Sequence, residues 1–342
     1  MNLNKVVTHY FSDIEDLTID KFGNGLIHGT YVVSKENKPA FILQQINTDV
    51  FKSPDAIASN LEYLSNFLQS YNQDVFFPVA QKTLTGMHYA IEDNTYFRLT
   101  LFVRGTHSVD ACSTVEEAYE AAFQFGKFSS SFNKFDTTLL KPTIPDFHNL
   151  EFRWKQFLDA LQFGNKERIA FASSEIALIQ QNYSIVENYQ KIIQSSDFIQ
   201  RVTHHDTKIN NVLFNELNKG VCVIDLDTVM SGYFISDLGD MFRTYLASAS
   251  EEVTDFDSIL ARAPFYDAIV EGYLESMRNQ MTDLELKNLT FAGEFMIYMQ
   301  ALRFLTDFLN NDSYYGIRYE LNNYNRAKNQ LVLLEQYRMV AH

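Results

Sequence analysis

The spacing of apolar residues turns from strand-like to helical near Gly105, and that change restricts the fold more than any composition figure does. Before it, short apolar runs alternate with turn residues. Phe22 to Val33 is broken by Gly23, Gly25 and Gly29, and Ala40 to Ile46, Val75 to Val79, Met87 to Ile91 and Tyr96 to Val103 read as strands. One helix interrupts them. Ser53-Pro54-Asp55 starts it, with Ser as cap and Pro in the first turn, and Ile57, Leu61, Leu64 and Leu68 carry it to about Ser70. After Gly105 the period is helical. Ser113-x-x-Glu116 reads as a capping box before a helix to about Phe132, and Leu150 to Phe163, Ser184 to Ile199 and most of the chain from Ser236 follow. The helical period lapses only between Arg201 and Asp227. There Val212 to Phe214 and Val221 to Ile224 flank an Asn218-Lys219-Gly220 turn. The expectation is an α+β chain in two domains: a β-rich N-lobe over 1–103 and a mainly helical C-lobe over 104–342 that carries one hairpin. A length of 342 residues suits two cores better than one.

Charge excludes some partners. The formal net charge is −15 and no basic block offsets it, which argues against a general nucleic-acid or anionic-membrane binder. A local pocket of amides, cations and metal could still take an anionic nucleotide. Cys112 and Cys222 are the two cysteines and form no motif, so neither a disulfide framework nor a zinc site is expected. The sequence has no apolar run of about 18 residues, and Met1 to Tyr10 has no signal-like apolar segment. A cytoplasmic location is the expectation.

The richest chemistry lies in His204-His205-Asp206-Thr207-Lys208-Ile209-Asn210-Asn211 and in Val221-Cys222-Val223-Ile224-Asp225-Leu226-Asp227. Phosphoryl transfer needs a carboxylate for the hydroxyl, divalent metal on the phosphates and cations for the developing charge. Asp206 sits in a polar loop, and Lys208 is close enough in sequence to reach the same phosphate. Asn211 lies five residues beyond Asp206, and Asp225 ends an apolar strand; both offer the hard oxygens Mg²⁺ prefers. His204 reads as a structural histidine bracing the loop, and Asp237 as a cap or loop anchor rather than a ligand.

Asp206-x-Lys208-x-x-Asn211 resembles the catalytic loop of protein kinases, and His204-x-Asp206 with Asn211 resembles that of aminoglycoside and choline kinases. Longer strings are similar to the N-acetylhexosamine 1-kinases: Gln44 to Phe51, Pro145 to Asn149, Thr203 to Asn211, Ile224 to Met230 and Arg303 to Asp307. The resemblance spans about residues 20 to 315 and implies a two-lobed protein-kinase-like fold. It also implies ATP and Mg²⁺, Asp206 as catalytic base, Asn211 and Asp225 as metal ligands, and Arg303 and Tyr314 on a small-molecule sugar. Asp227 would support the ligands. Arg303 could equally form a salt bridge, and Tyr315 is as good a candidate as Tyr314. His205 stands where the family usually has Asn and is assigned no role.

The nucleotide lobe departs from that pattern. Gly23-x-Gly25 could turn over phosphates, but the family's Gly-His-Ile-Asn-Asp-Thr is replaced by Gly25-Leu26-Ile27-His28-Gly29-Thr30. The strand position that usually holds a phosphate-gripping Lys reads Gln44-Gln45, so a cation must come from elsewhere; Lys35 and Lys52 are the candidates. Without that lysine Glu62 reads as a solvated helix residue. Phe102-Val103 would meet adenine. The sequence therefore reads as an ATP-dependent sugar kinase. A kinase for an amino alcohol or aminoglycoside, and a catalytically silent nucleotide- or sugar-binding module, are the alternatives.

Overall fold

The computed structural model describes residues 2–23, 27–71 and 75–341. In chain order its elements begin with α1 (Leu3–Val7), β1 (Leu17–Lys21), β2 (Gly29–Lys35), β3 (Lys38–Gln45), α2 (Pro54–Tyr71), β4 (Ala90–Glu92), β5 (Thr95–Leu101) and β6 (Thr106–His107). Helices α3 (Val115–Ser130), α4 (Leu150–Phe163), α5 (Lys166–Phe171), α6 (Ser173–Gln181) and α7 (Ser184–Gln194) follow, then strands β7 (Arg201–Thr203), β8 (Val212–Asn215), β9 (Gly220–Val223) and β10 (Met230–Gly232). The chain ends in α8 (Phe234–Tyr245), α9 (Ala263–Met277), α10 (Asp283–Leu286), α11 (Leu289–Leu309) and α12 (Asn322–Val340). Two compact units form from interleaved segments. The first takes Met1–His107, Lys134–Pro145 and Leu213–Ser231, and the second takes the rest. Strands dominate the first and helices the second, the α+β class expected. Among the described residues no helix is long and apolar enough to cross a membrane.

In the first unit an antiparallel sheet runs β1-β2-β3-β5-β4. Its core is Val6, Val7, Tyr10, Val33, Leu43, Ala90, Phe97 and Leu99. The Tyr10 hydroxyl donates to the Phe97 carbonyl at 2.7 Å and accepts from the Ala90 N–H at 3.1 Å, so its polar end is satisfied inside that core. The register places Arg98 directly across from Gln44. Helix α2 begins where Ser53 and Pro54 predict, and its buried stripe is Ile57, Leu61, Leu64 and Leu68. Asn60, buried on α2, donates to the carbonyls of Lys141 (2.8 Å) and Val229 (3.0 Å) and accepts from the Lys141 N–H. It ties the helix to two loop segments of the same unit.

In the second unit α11 is buried along nearly its whole length and packs against α4, α8 and α12. Helix α3 lies against α9. Their backbones meet at glycines: a Cβ on Gly126 would stand 2.7 Å from the Tyr273 carbonyl oxygen, and one on Gly272 would overlap that of Tyr119. Arg201, on β7, forks onto the buried Glu285 at 2.5 and 2.7 Å, which fixes the strand leading into the catalytic-loop sequence.

Several local expectations fail for local reasons. Residues 75–79 form no strand; the segment contains Pro78, which has no N–H for a ladder, and pairing is limited to a bridge between Ala80 and Thr100. Pairing around Met87 to Ile91 shrinks to β4. The capping box sits one residue later than read, with Thr114 as cap and Glu117 as its partner, because the Glu117 side chain reaches the Ser113 and Thr114 N–H groups. Helix α7 stops at Gln194, and α5 and α6 lie between the two helices expected at Leu150 to Phe163 and Ser184 to Ile199. Replacing Gly272 with Ala should push α3 and α9 apart and cost about 1–3 kcal/mol; an unchanged chemical-denaturation midpoint would show that the helices slide at no cost.

Candidate active site

The loop after β7 lies in the second unit and carries Asp206, Lys208 and Asn211. The His204 and His205 N–H groups donate to the two carboxylate oxygens of Asp237 on α8, at 2.9 and 2.7 Å. One turn on, Asp240 accepts from the Thr207 N–H at 2.9 Å, and the Tyr245 hydroxyl donates to the Thr207 carbonyl at 2.5 Å. The His204 ring packs edge-on against Phe125 and Phe128, with centroids 5.1 and 5.8 Å away, and its Nδ1 accepts from the Asp206 N–H. His204 is thus a brace and Asp237 an anchor, as the sequence suggested. Burial pushes the Asp237 carboxyl up to about 6, against the pull of His204 and the two N–H donors. His205 takes the left-handed conformation at φ 66°. Its ring fills the space beside Gly232, where a Cβ would stand 2.6 Å from Nε2.

This scaffold satisfies the loop backbone without using the Asp206 carboxylate. That group meets Lys208 Nζ at 3.0 Å and receives the Asn211 amide at 3.2 Å, and the same amide donates to the Asp206 carbonyl at 2.9 Å. Burial raises the Asp206 carboxyl, but Lys208, His204 and Arg243 outweigh it and hold the group below its ordinary value. It is therefore ionised at neutral pH. Lys208 is raised by Asp206, so it keeps its charge. With the Asn211 nitrogen donating, its side-chain oxygen is the atom left to ligate a cation.

Arg303 lies in the same unit. Its guanidinium stands 5.4 Å from the Phe147 ring, 5.5 Å from Tyr315 and 6.0 Å from Tyr314. It donates to Gln300 and forms no ion pair among those found for the described residues. Tyr314 is exposed, whereas Tyr315 packs against Phe304. Phe147 stacks on His148 at 4.4 Å, and His148 lies 5.2 Å from His205, so a line of rings joins Arg303 to the catalytic loop. Arg153 is drawn into the group. Burial first, and then Arg303, lower it to about 10, and its Nε and His148 Nδ1 are buried with no hydrogen-bond partner. Neither Arg153 nor His148 had been singled out from the sequence. Pro145 to Asn149 was noted only as a string.

The residues expected to meet the nucleotide lie in the first unit. Asp225 follows β9 in the left-handed conformation, φ 59°. Asp227 is buried and takes two partners, an ion pair from Arg98 and His28 Nε2 at 2.7 Å. The Asn47 N–H donates to His28 Nδ1, so Nε2 carries the proton given to Asp227. Burial opposes the charge on Asp227, but Arg98 and His28 bring its carboxyl down to about 2. Oxygen and nitrogen atoms of His28, Asp225 and Asp227 lie within 4.8 Å of one another. Two hard carboxylates at one strand end fit a Mg²⁺ nucleotide, with Asp227 already committed to Arg98 and His28. Gln44 accepts from Arg98 Nε at 3.0 Å. Gly23 is left-handed at φ 70°, as a turn requires, while Gly25 lies outside the described residues. Phe102 donates its N–H to the Ala40 carbonyl, and Val103 follows half-buried. Neither expected cation is placed beside Gln44. Lys52 is exposed and 4.0 Å from Asp49, and Lys35 lies at the far end of β2, paired with Leu17 and Lys38. Glu62 is not simply solvated: Lys82 and His88 bind it at 3.0 and 3.2 Å.

The sequence matches the phosphotransferase enzyme family (APH) over residues 18–281. An aminoglycoside phosphotransferase from Alicyclobacillus acidocaldarius superposes with TM-score 0.66 at 12% identity, covering 100% of this chain and 94% of that one. A microcompartment-associated aminopropanol kinase gives 0.64 at 19% identity, over 99% and 98%. A spectinomycin phosphotransferase in complex with ADP and spectinomycin gives 0.59 at 15%, over 96% and 94%. At these identities the likeness is one of fold, and the protein-kinase-like fold is the one expected.

Replacing Asp227 with Asn strips the charge partner from buried Arg98 and should cost about 3–5 kcal/mol in urea unfolding at pH 7. The pH dependence has a definite sign. A carboxyl lowered on folding from 3.8 to about 2 stabilises fully above 3.8, and that contribution is lost as pH falls toward 2. The variant should lack that part of the acid limb; an unaltered limb would show the pair to be inert.

Proposed function

The chain belongs to the phosphotransferase enzyme family, whose members are small-molecule kinases, and from that premise we propose that it moves the γ-phosphate of ATP onto a hydroxyl of a neutral sugar. The acceptor we favour is an N-acetylhexosamine, at its anomeric hydroxyl, giving the sugar 1-phosphate. The observation that carries the acceptor class is the cluster beside the catalytic loop, where Arg303 and Arg153 share a wall with Phe147, Tyr314 and Tyr315. A cationic amino alcohol or aminoglycoside would meet two guanidiniums there. A sugar would meet fork-shaped donors for vicinal hydroxyls and rings for its apolar face. The strings shared with N-acetylhexosamine 1-kinases support the finer choice.

In this reading Asp206 accepts the proton of the attacking hydroxyl. The new bond joins the acceptor oxygen to the γ-phosphorus, the bond from that phosphorus to the bridging oxygen breaks, and ADP leaves with the electron pair. The depressed Asp206 carboxyl suits a base that must be ionised before substrate arrives. Lys208 sits on that carboxylate and offers charge to the transferred oxygens. Asn211 and Asp225 would hold Mg²⁺, which neutralises phosphate charge when bound.

Asp206→Asn should lower kcat about 10²–10⁴-fold with an unchanged melting temperature, and unchanged turnover would remove Asp206 from this role. ADP release screened with N-acetylhexosamines, hexoses, choline and aminoglycosides, with product NMR, tests the acceptor. Turnover confined to the cationic compounds would replace the sugar reading with the amino alcohol or aminoglycoside one, and no ADP release with any acceptor would favour the silent module. Arg303→Ala should raise the acceptor KM about 10–100-fold and leave that for ATP alone; equal loss on both substrates would place Arg303 outside an acceptor site.

A further inference from the structure

Strand β3 offers an amide where a phosphate-gripping cation is expected, and the lysines nearest in sequence do not supply one. Lys52 and Lys35 are placed elsewhere, and Lys38 is exposed at the opposite end of β3 from Gln44. The residue across the ladder from Gln44 is Arg98. Directly paired residues root their side chains on one face about 4.5–5.5 Å apart. A longer side chain on β5 can therefore bring its charge to the place that a β3 lysine would fill.

We propose that Arg98 supplies the nucleotide-phosphate cation that β3 lacks, with Gln44 and Asp227 as its positioning residues. The Gln44 oxygen takes Nε and the Asp227 carboxylate takes one terminal nitrogen, which uses two of the five guanidinium donors; the remaining three are the ones an anion would use. In protein kinases the strand lysine is held by a helix glutamate. Here the helix glutamate, Glu62, is bound to Lys82 and His88, and the holding carboxylate comes from the same short string as Asp225. Asp225 is near enough to act on Arg98 electrostatically. A cation so placed adjoins one of the proposed ligands of the metal on those phosphates. Side-chain burial of Arg98 and Asp227, 7% and 1% exposed, keeps the charge out of water, where its pull on an anion is strongest.

The proposal rests on the family's use of ATP and not on the acceptor, so nucleotide binding without acceptor tests it separately. Arg98→Met keeps the bulk and removes the charge. It should weaken Mg²⁺-ATP binding in calorimetry about 10–100-fold. Arg98→Met with Gln44→Lys, which returns the cation to β3, should recover most of that loss. Binding within about threefold of wild type in a folded Arg98→Met protein would overturn the proposal, as would a double variant no better than the single one. Should the methionine variant not fold, the wild-type protein decides the matter through a structure with Mg²⁺ and a non-hydrolysable ATP analogue. An Arg98 nitrogen within about 4 Å of a phosphate oxygen supports the proposal, and any larger separation overturns it.

Discussion

One carboxylate, Asp237, holds two consecutive backbone N–H groups, those of His204 and His205, and the catalytic loop depends on that grip. Asp240, one helical turn further along α8, takes the Thr207 N–H, and the Asp206 N–H goes to the His204 ring. Every donor from 204 to 207 is thereby satisfied by a rigid helix or by the loop itself. The Asp206 carboxylate is spared that work and is left to Lys208 and Asn211. A carboxylate proposed as a base is useful only if its loop does not need it, and this arrangement meets that condition. The cost falls on Asp237, whose burial raises its carboxyl to about 6 while two N–H bonds keep it useful as an acceptor.

The sheet unit separates its acids in the same way. Asp227 is engaged by Arg98 and His28, and Asp225 stands two residues earlier in a left-handed turn that ends β9. A pair of adjacent acids with no such division would repel each other and lift one carboxyl. Instead Arg98 and His28 draw Asp227 well down, so its charge is held by partners of its own. His28 is built into this network through Asn47 and Asp227.

Some of this was legible in residue order. The strand-to-helix change near Gly105, the start of α2 at Ser53-Pro54, the hairpin around Asn218 and the spacing of Asp206, Lys208 and Asn211 all rest on neighbours within about five positions, where local geometry decides. Other features were not legible. Arg98 reads as one cation in an apolar strand until the β3–β5 register sets it opposite Gln44. Arg153 and His148 gain meaning only when α4, α11 and the segment before α4 bring them beside Arg303. Residues 75–79 mislead in the other direction: a short apolar run suggested a strand, and Pro78 with a lack of neighbouring ladder decided otherwise.

By itself the sequence determined the α+β class, the change from strands to helices near Gly105 and the chemical character of the 204–211 and 221–227 strings, because these follow from short-range periodicity and from functional groups at fixed spacing. Only the tertiary structure decided which charges meet. The partners Gln44 and Arg98, Arg98 and Asp227, and His28 and Asp227 are 54, 129 and 199 positions apart. Pairing at that range is set by strand register and by the burial energy of whole elements, which no local pattern encodes.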